Sequence, residues 1–134
     1  MSGPMNVFDI AGRAMSAQLV RLNTTASNLA NAGAVSGTKE SAFRALKPVF
    51  ETVTERDGVA TVQVKRVVQA EIEPTKRHAE GHPLADKDGF VWDAAVDSSA
   101  ELIEMVETAR QYQNNVQVLQ TAKTLTLDTL RLGQ

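Results

Sequence analysis

VDSSAELIEMVETARQYQNNVQVLQTAKTLTLDTLRL, residues 96–132, runs without a glycine or proline. Read as one helix, it would extend about 55 Å at 1.5 Å per residue. That is several times the mean globular helix of about 11–12 residues. A globule of 134 residues has a radius of gyration of only about 14 Å. The rest of the chain therefore cannot cover this helix over its whole length. Either the helix breaks or another chain covers it, and the functional reading turns on that choice.

Within the stretch, Asp97, Ser98 and Ser99 are N-cap candidates. Glu101, Glu104 and Glu107 come early, and Arg110, Lys123 and Arg131 come late. This order complements the helix macrodipole. A solvated first turn explains the three glutamates more simply than paired catalytic carboxylates do. Leu102, Met105, Ala109, Tyr112, Val116 and Leu119 keep the alternating 3–4 step of a heptad seam. Lys123 and Thr126 break that seam. The apolar path then moves to Ala122, Leu125 and Leu127, with Leu130 and Leu132 beyond, and these leucines spread around the helix axis. Such an end calls for contact on several sides. The amides Gln111, Gln113, Asn114, Asn115, Gln117 and Gln120 fit either a solvated face or a helix packed laterally among subunits.

The N-terminal stretch, residues 5–31, predicts a second helix. Phe8, Met15, Leu22 and Leu29 stand seven apart, with Met5, Gly12, Leu19 and Ala26 in the paired positions. Gly12 and Ala26 permit close approach of a partner helix. Asn23, Thr24, Thr25, Ser27, Asn28 and Asn31 are weak helix formers, so the segment is marginal alone. Asn31 and Gly33 suit a helix end and turn. One seam packed against the other within a single chain accounts for part of both helices. It leaves the Leu125–Leu132 cluster exposed, because residues 5–31 reach only about 40 Å.

Between the helices the character changes. Residues 32–41 predict a polar loop, mobile between Ser36 and Ser41. Residues 42–95 predict a β-rich insert of three to five short strands. Val59, Val62, Val64, Val67 and Val68 give strand-like valine density. Asp57-Gly58 is a hairpin signal. The phase change between Val64 and Val67 predicts a bulge near Lys65-Arg66. Ile72 to Pro83 reads as a charged loop, Asp86-Lys87-Asp88-Gly89 as a turn, and Phe90-Val91-Trp92 as a short strand. The fold class is α+β: long terminal helices, paired like a coiled coil, flank the insert. The divisions are 5–31, 32–41, 42–95 and 96–132.

Composition narrows the chemistry. Net charge is −2 with no basic block, so phosphate neutralisation on nucleic acid is unsupported. There is no cysteine, hence no disulfide, thiolate nucleophile or thiolate metal site. No run of 18 apolar residues spans a bilayer. No basic-then-apolar secretory signal is visible, so work outside the cytoplasm would require another export route. His78 and His82, with Asp86 and Asp88, are the only grouping that suggests metal or hydrolytic chemistry. Their spacing matches no ligand motif, and surface loop residues are the simpler reading. No cofactor is expected.

The stretch AMSAQLVRLNTTASNLAN, residues 14–31, resembles the N-terminal signature of bacterial flagellar axial proteins, the rod, hook and hook-associated subunits. Ala17, Arg21-Leu22, Ala26 and Asn28-Leu29-Ala30-Asn31 carry the resemblance. Val96-Asp97, Glu104-Met105, Ala109-Arg110, Tyr112, Asn115, Leu119, Lys123 and Leu130 resemble the matching C-terminal pattern. Chain length, residues 83–91 and the ending Leu130–Gln134 narrow it to the short basal-body rod subunits. Asn114 and His82 depart from the residues common there, Ala and Asn. The resemblance implies a non-enzymatic structural subunit of the proximal rod, exported by the flagellar type III apparatus. It implies partners among its own copies, other rod proteins and the adaptor between rod base and MS ring. It also implies terminal helices in the rod's inner layer and termini that are commonly disordered in the free monomer. The interface residues expected are Phe8, Met15, Leu19, Leu22, Ala26, Asn28, Leu29 and Asn31. On the other helix they are Leu102, Met105, Ala109, Tyr112, Asn115, Val116, Leu119, Leu125 and Leu130. The alternative is a soluble helical-hairpin adaptor or chaperone-like binding module.

Overall fold

The computed structural model describes residues 7–133. Two helices, α1 (Val7–Ala30) and α2 (Ser98–Leu132), flank β1 (Val35–Ser36), β2 (Leu46–Thr54), β3 (Ala60–Gln69), β4 (Thr75–His78) and β5 (Phe90–Asp93). The α+β class read from the sequence holds. Met5, in the predicted N-terminal helix, lies outside the described residues.

Helix α2 starts where its cap chemistry places it. Asp97 is extended and accepts a hydrogen bond from the Ala100 N–H, satisfying one of the first-turn donors. No glycine or proline interrupts the next 35 residues, and Gly133 ends the helix. Helix α1 ends at Ala30, where the Asn31 side-chain amide donates to the Ser27 carbonyl at 2.8 Å. Gly33 has no positive φ, so the helix ends through side-chain bonding and a turn, without a left-handed glycine.

β2 and β3 form an antiparallel ribbon joined by a turn in which Gly58 adopts φ +84°. Opposite Val49 and Phe50 the partner steps from Arg66 to Val64, leaving Lys65 as the extra residue of a bulge. That is the phase change seen among the valines. Pro48 has no N–H to donate, and a two-stranded ribbon gives it an outer edge.

The other sheet has the order β1-β5-β4. Two of its strands lie where the sequence reads as loop. β1, within the 32–41 loop, pairs Val35 with Asp93 and Ser36 with Trp92. β4, within Ile72–Pro83, is exposed at all four residues. Thr75, Lys76, Arg77 and His78 show no apolar alternation. Cross-strand contacts hold them: Arg77 bonds Asp93 at 2.9 Å, His78 meets the Phe90 ring edge-on, and Lys76 lies over that ring.

The segment 42–46 stitches the two sheets. The Ala45 N–H donates to the Ala95 carbonyl, the Ala95 N–H to Phe43, and the Ala70 N–H to Ala45. The buried residues are small: Ala11, Ala17, Ala42, Ala45, Val91 and Ala95, with Thr24, Thr25, Thr61 and Thr108. Small side chains let backbones approach closely, but each contributes little apolar area.

The link from helix to ribbon is Asn28, only 1% exposed. Its Nδ2 donates to the Leu46 carbonyl and its Oδ1 accepts from the Leu46 N–H, both at 2.8 Å. The side chain thus completes the first backbone unit of β2. Both amide atoms of Asn28, expected from the sequence at a subunit interface, are engaged within the chain. Asn28→Ala should leave the part-buried Leu46 N–H and C=O without this partner, each costing up to about 1–3 kcal/mol. Urea unfolding should show a lower midpoint at unchanged slope. An unchanged midpoint would contradict this role.

Candidate assembly surface

Among the elements, α2 packs only on α1. Gln18 Nε2 donates to Gln111 Oε1 at 2.9 Å, and Arg21 pairs with Glu104 and also reaches Gln111. As α1 advances from 18 to 21, its partners on α2 recede from 111 to 104, so the helices are antiparallel. Near the far end of α1, Val7 shares a shallow surface with Val118, Ala122 and Leu125. At 24 residues, α1 spans about 36 Å against about 52 Å for the 35 residues of α2.

The seam that α2 turns inward comprises Met105, Thr108, Tyr112, Asn115, Leu119 and Ala122, flanked by Ala109 and Val116. Thr108 is fully buried, and its hydroxyl donates to the Glu104 carbonyl at 2.7 Å, so it enters the seam with its polar group satisfied. Sequence periodicity alone favours Leu102 for this seam. The structure places Leu102 outside at 54% exposure, beside exposed Ile103 and Val106. Met105, Ala109, Tyr112, Asn115, Val116 and Leu119 are thus at least partly occupied within the subunit.

On α1, Met15, Leu22 and Leu29 are half-buried, as is Asn31 just beyond it, while Phe8, Leu19 and Ala26 are exposed. The α1–β3 side forms a groove lined by Phe8, Gly12, Arg13, Ala17, Val20, Val62 and Val64. Beyond Ala122 every described residue of α2 is exposed. Leu125 is 61% exposed, Leu130 62% and Leu132 88%. Leu127 is exposed as well, so among the described residues nothing covers the terminal leucines, which form an apolar helix end.

Glu104 and Gln111 are inter-helix residues that sequence reasoning assigned to solvent or left open. Their signal was available: both align with Arg21 and Gln18 once the antiparallel sense is fixed. The His78, His82, Asp86 and Asp88 grouping serves local turns. His82 Nδ1 accepts from the Leu84 N–H at 3.0 Å. Asp86 Oδ1 accepts from the Asp88 and Phe90 N–H groups, both at 2.9 Å. Gly89 in this turn has φ +82° and lies close under His78. Among the described residues, no group of three or more metal-ligating side chains converges, and no helix is long and apolar enough to cross a membrane.

A family model described as flagella basal body rod protein matches residues 8–37. A second, described as flagellar basal body rod FlgEFG protein C-terminal, matches residues 87–132. The flagellar basal-body rod protein FlgC of Escherichia coli O6:H1 is 43% identical over 132 residues, covering 97% of this chain and 98% of that protein. The chain belongs to the flagellar basal-body rod protein family. FlgC of Salmonella typhimurium is 42% identical over the same share of both chains. FlgC of Buchnera aphidicola from Schizaphis graminum is 34% identical over 134 residues. The two matched regions of the rod family contain α1 and α2, the elements that build the surface described above. Membership favours the rod reading over a self-contained adaptor hairpin.

The Phe90 N–H, chiefly, holds the Asp86 carboxyl below its usual range, with the Asp88 N–H and the Lys76 charge adding to it. A depressed carboxylate stabilises its turn above its unfolded pKa, and that support is lost as pH falls through the lower folded value. The Phe90 amide should therefore keep its exchange protection below the ordinary carboxylate range and lose it on further acidification. Asp86→Ala should remove that protection at neutral pH. A Phe90 amide equally protected in the variant would refute the turn assignment.

Proposed function

We propose that this chain is a non-enzymatic structural subunit of the proximal rod, polymerising through its terminal helices into a hollow shaft. The shaft transmits torque and encloses the protein-export channel. The observation that carries the reading is the α2 end: exposed leucines on a helix that outruns α1, its only partner among the described elements. Each fully buried leucine contributes roughly 1.5–3 kcal/mol, so a neighbour covering several of them gains substantial association energy. The solvent-facing polar residues of the β insert suit the outside of such a shaft, with the helices within.

The interface comprises Leu125 and Leu130 at the α2 end, Leu102 on the outer face of α2, and Phe8, Leu19 and Ala26 on α1. Met15, Leu22, Leu29, Met105, Tyr112 and Leu119 contribute the edges that the helix pair leaves open. The partners are other copies, other rod proteins, and the adaptor between rod base and MS ring. The chain reaches the periplasm-spanning rod through the flagellar type III apparatus, without a Sec signal.

Leu125→Asp with Leu130→Asp should leave the free subunit's unfolding midpoint unchanged, because both positions are exposed. The same variant should be absent from isolated basal bodies and fail to support swimming. Normal rods and motility from it would overturn the reading.

A further inference from the structure

We propose that the α2 end of one copy seats in the α1–β3 groove of the next copy, antiparallel to α1. This inference rests on the rod reading above and specifies its contact. The groove, about 630 Å³, runs along α1 from Phe8 to Val20 and is walled by Val62, Gln63 and Val64 of β3. It is open at Gly12, where an added Cβ would meet no heavy atom within 4 Å.

The charges of groove and helix end are complementary in one direction only. Asp9 and Arg13 stand four residues apart along the groove. Arg13 is held at the ribbon by Glu55 and by Thr61 Oγ1 at 3.2 Å, and a guanidinium has five donors, enough for a further carboxylate. The α2 end carries Asp128 and Arg131 three residues apart, both exposed and only loosely paired at 3.9 Å. At 100° per residue these two share one face, with Leu127 on one side and Leu132 on the other. Laid antiparallel, Asp128 meets Arg13 and Arg131 meets Asp9. Laid parallel, like charges meet.

The antiparallel sense is also that of α1 on its own α2. Within the subunit, Gln18 lies against Gln111. Pairing Arg13 with Asp128 shifts that register by roughly 12 residues, about 18 Å along the axis. The α2 end cannot therefore enter its own groove. A contact between two different patches that does not close on itself repeats from copy to copy, as an axial stack requires.

The chain has no cysteine, so a disulfide trap has no background. Ser16 and Thr124 are exposed positions facing each other in the proposed contact. Inside one subunit they stand too far apart along the axis for the roughly 7 Å limit between bridged Cα atoms. Ser16→Cys with Thr124→Cys should yield disulfide-linked multimers of this chain in oxidised basal bodies, and neither single variant should. Incorporation of the paired variant without multimers would overturn the contact while leaving the rod reading intact. If the pair is excluded from basal bodies, Asp128→Arg decides. Incorporation reduced several-fold supports the contact, and wild-type incorporation overturns it. Absence of the unsubstituted chain from basal bodies would overturn the rod reading instead.

Discussion

The mismatch between two helices governs this structure. Helix α1 has 24 residues and α2 has 35, and they are held antiparallel by Gln18–Gln111 and Arg21–Glu104. Once that register is set, the end of α2 projects beyond the described residues of its partner, and its leucines are exposed. The helix is too regular to fold back: no glycine or proline lies within it, and its Asp97 cap is well formed. A side-chain contact near the start of α2 thus decides what its far end offers to other chains.

The core favours association in the same way. Alanines and threonines fill it, and Val91 is the largest fully buried apolar side chain. The larger apolar groups of α1 and α2 are mostly half-buried or exposed. Burial of small groups supports close packing and modest stability. Specificity comes from directed polar contacts: Asn28 on the Leu46 backbone, Thr108 on Glu104, and the 42–46 segment bonded to both sheets. A subunit built this way holds its shape while leaving much of its apolar surface for neighbours.

The helices, the hairpin at Gly58, the bulge at Lys65 and strand β5 were all legible, because each leaves a mark in periodicity or turn chemistry. β4 was not, since Thr75 to His78 lie exposed and are held by their partner strand. The seam of α2 was legible in period but not in phase. Hydrophobicity pointed to Leu102, whereas close helix packing selected Thr108, whose hydroxyl bonds its own helix. Asn28 belongs to the family-like signature and invited an interface role, yet its amide completes a strand of its own chain. The exposure of the α2 leucines was legible too, because a seam that dissolves into scattered leucines offers no single face for α1 to cover.

Hydrogen exchange along α2, compared between the free subunit and isolated basal bodies, tests the central claim directly. In the free subunit, amides near Thr108 should be protected by α1, and those from residue 123 onward should exchange fast. In the assembled rod, the second group should become protected. Equal protection of both groups in the free subunit, or unchanged fast exchange beyond residue 123 in the rod, would contradict the account.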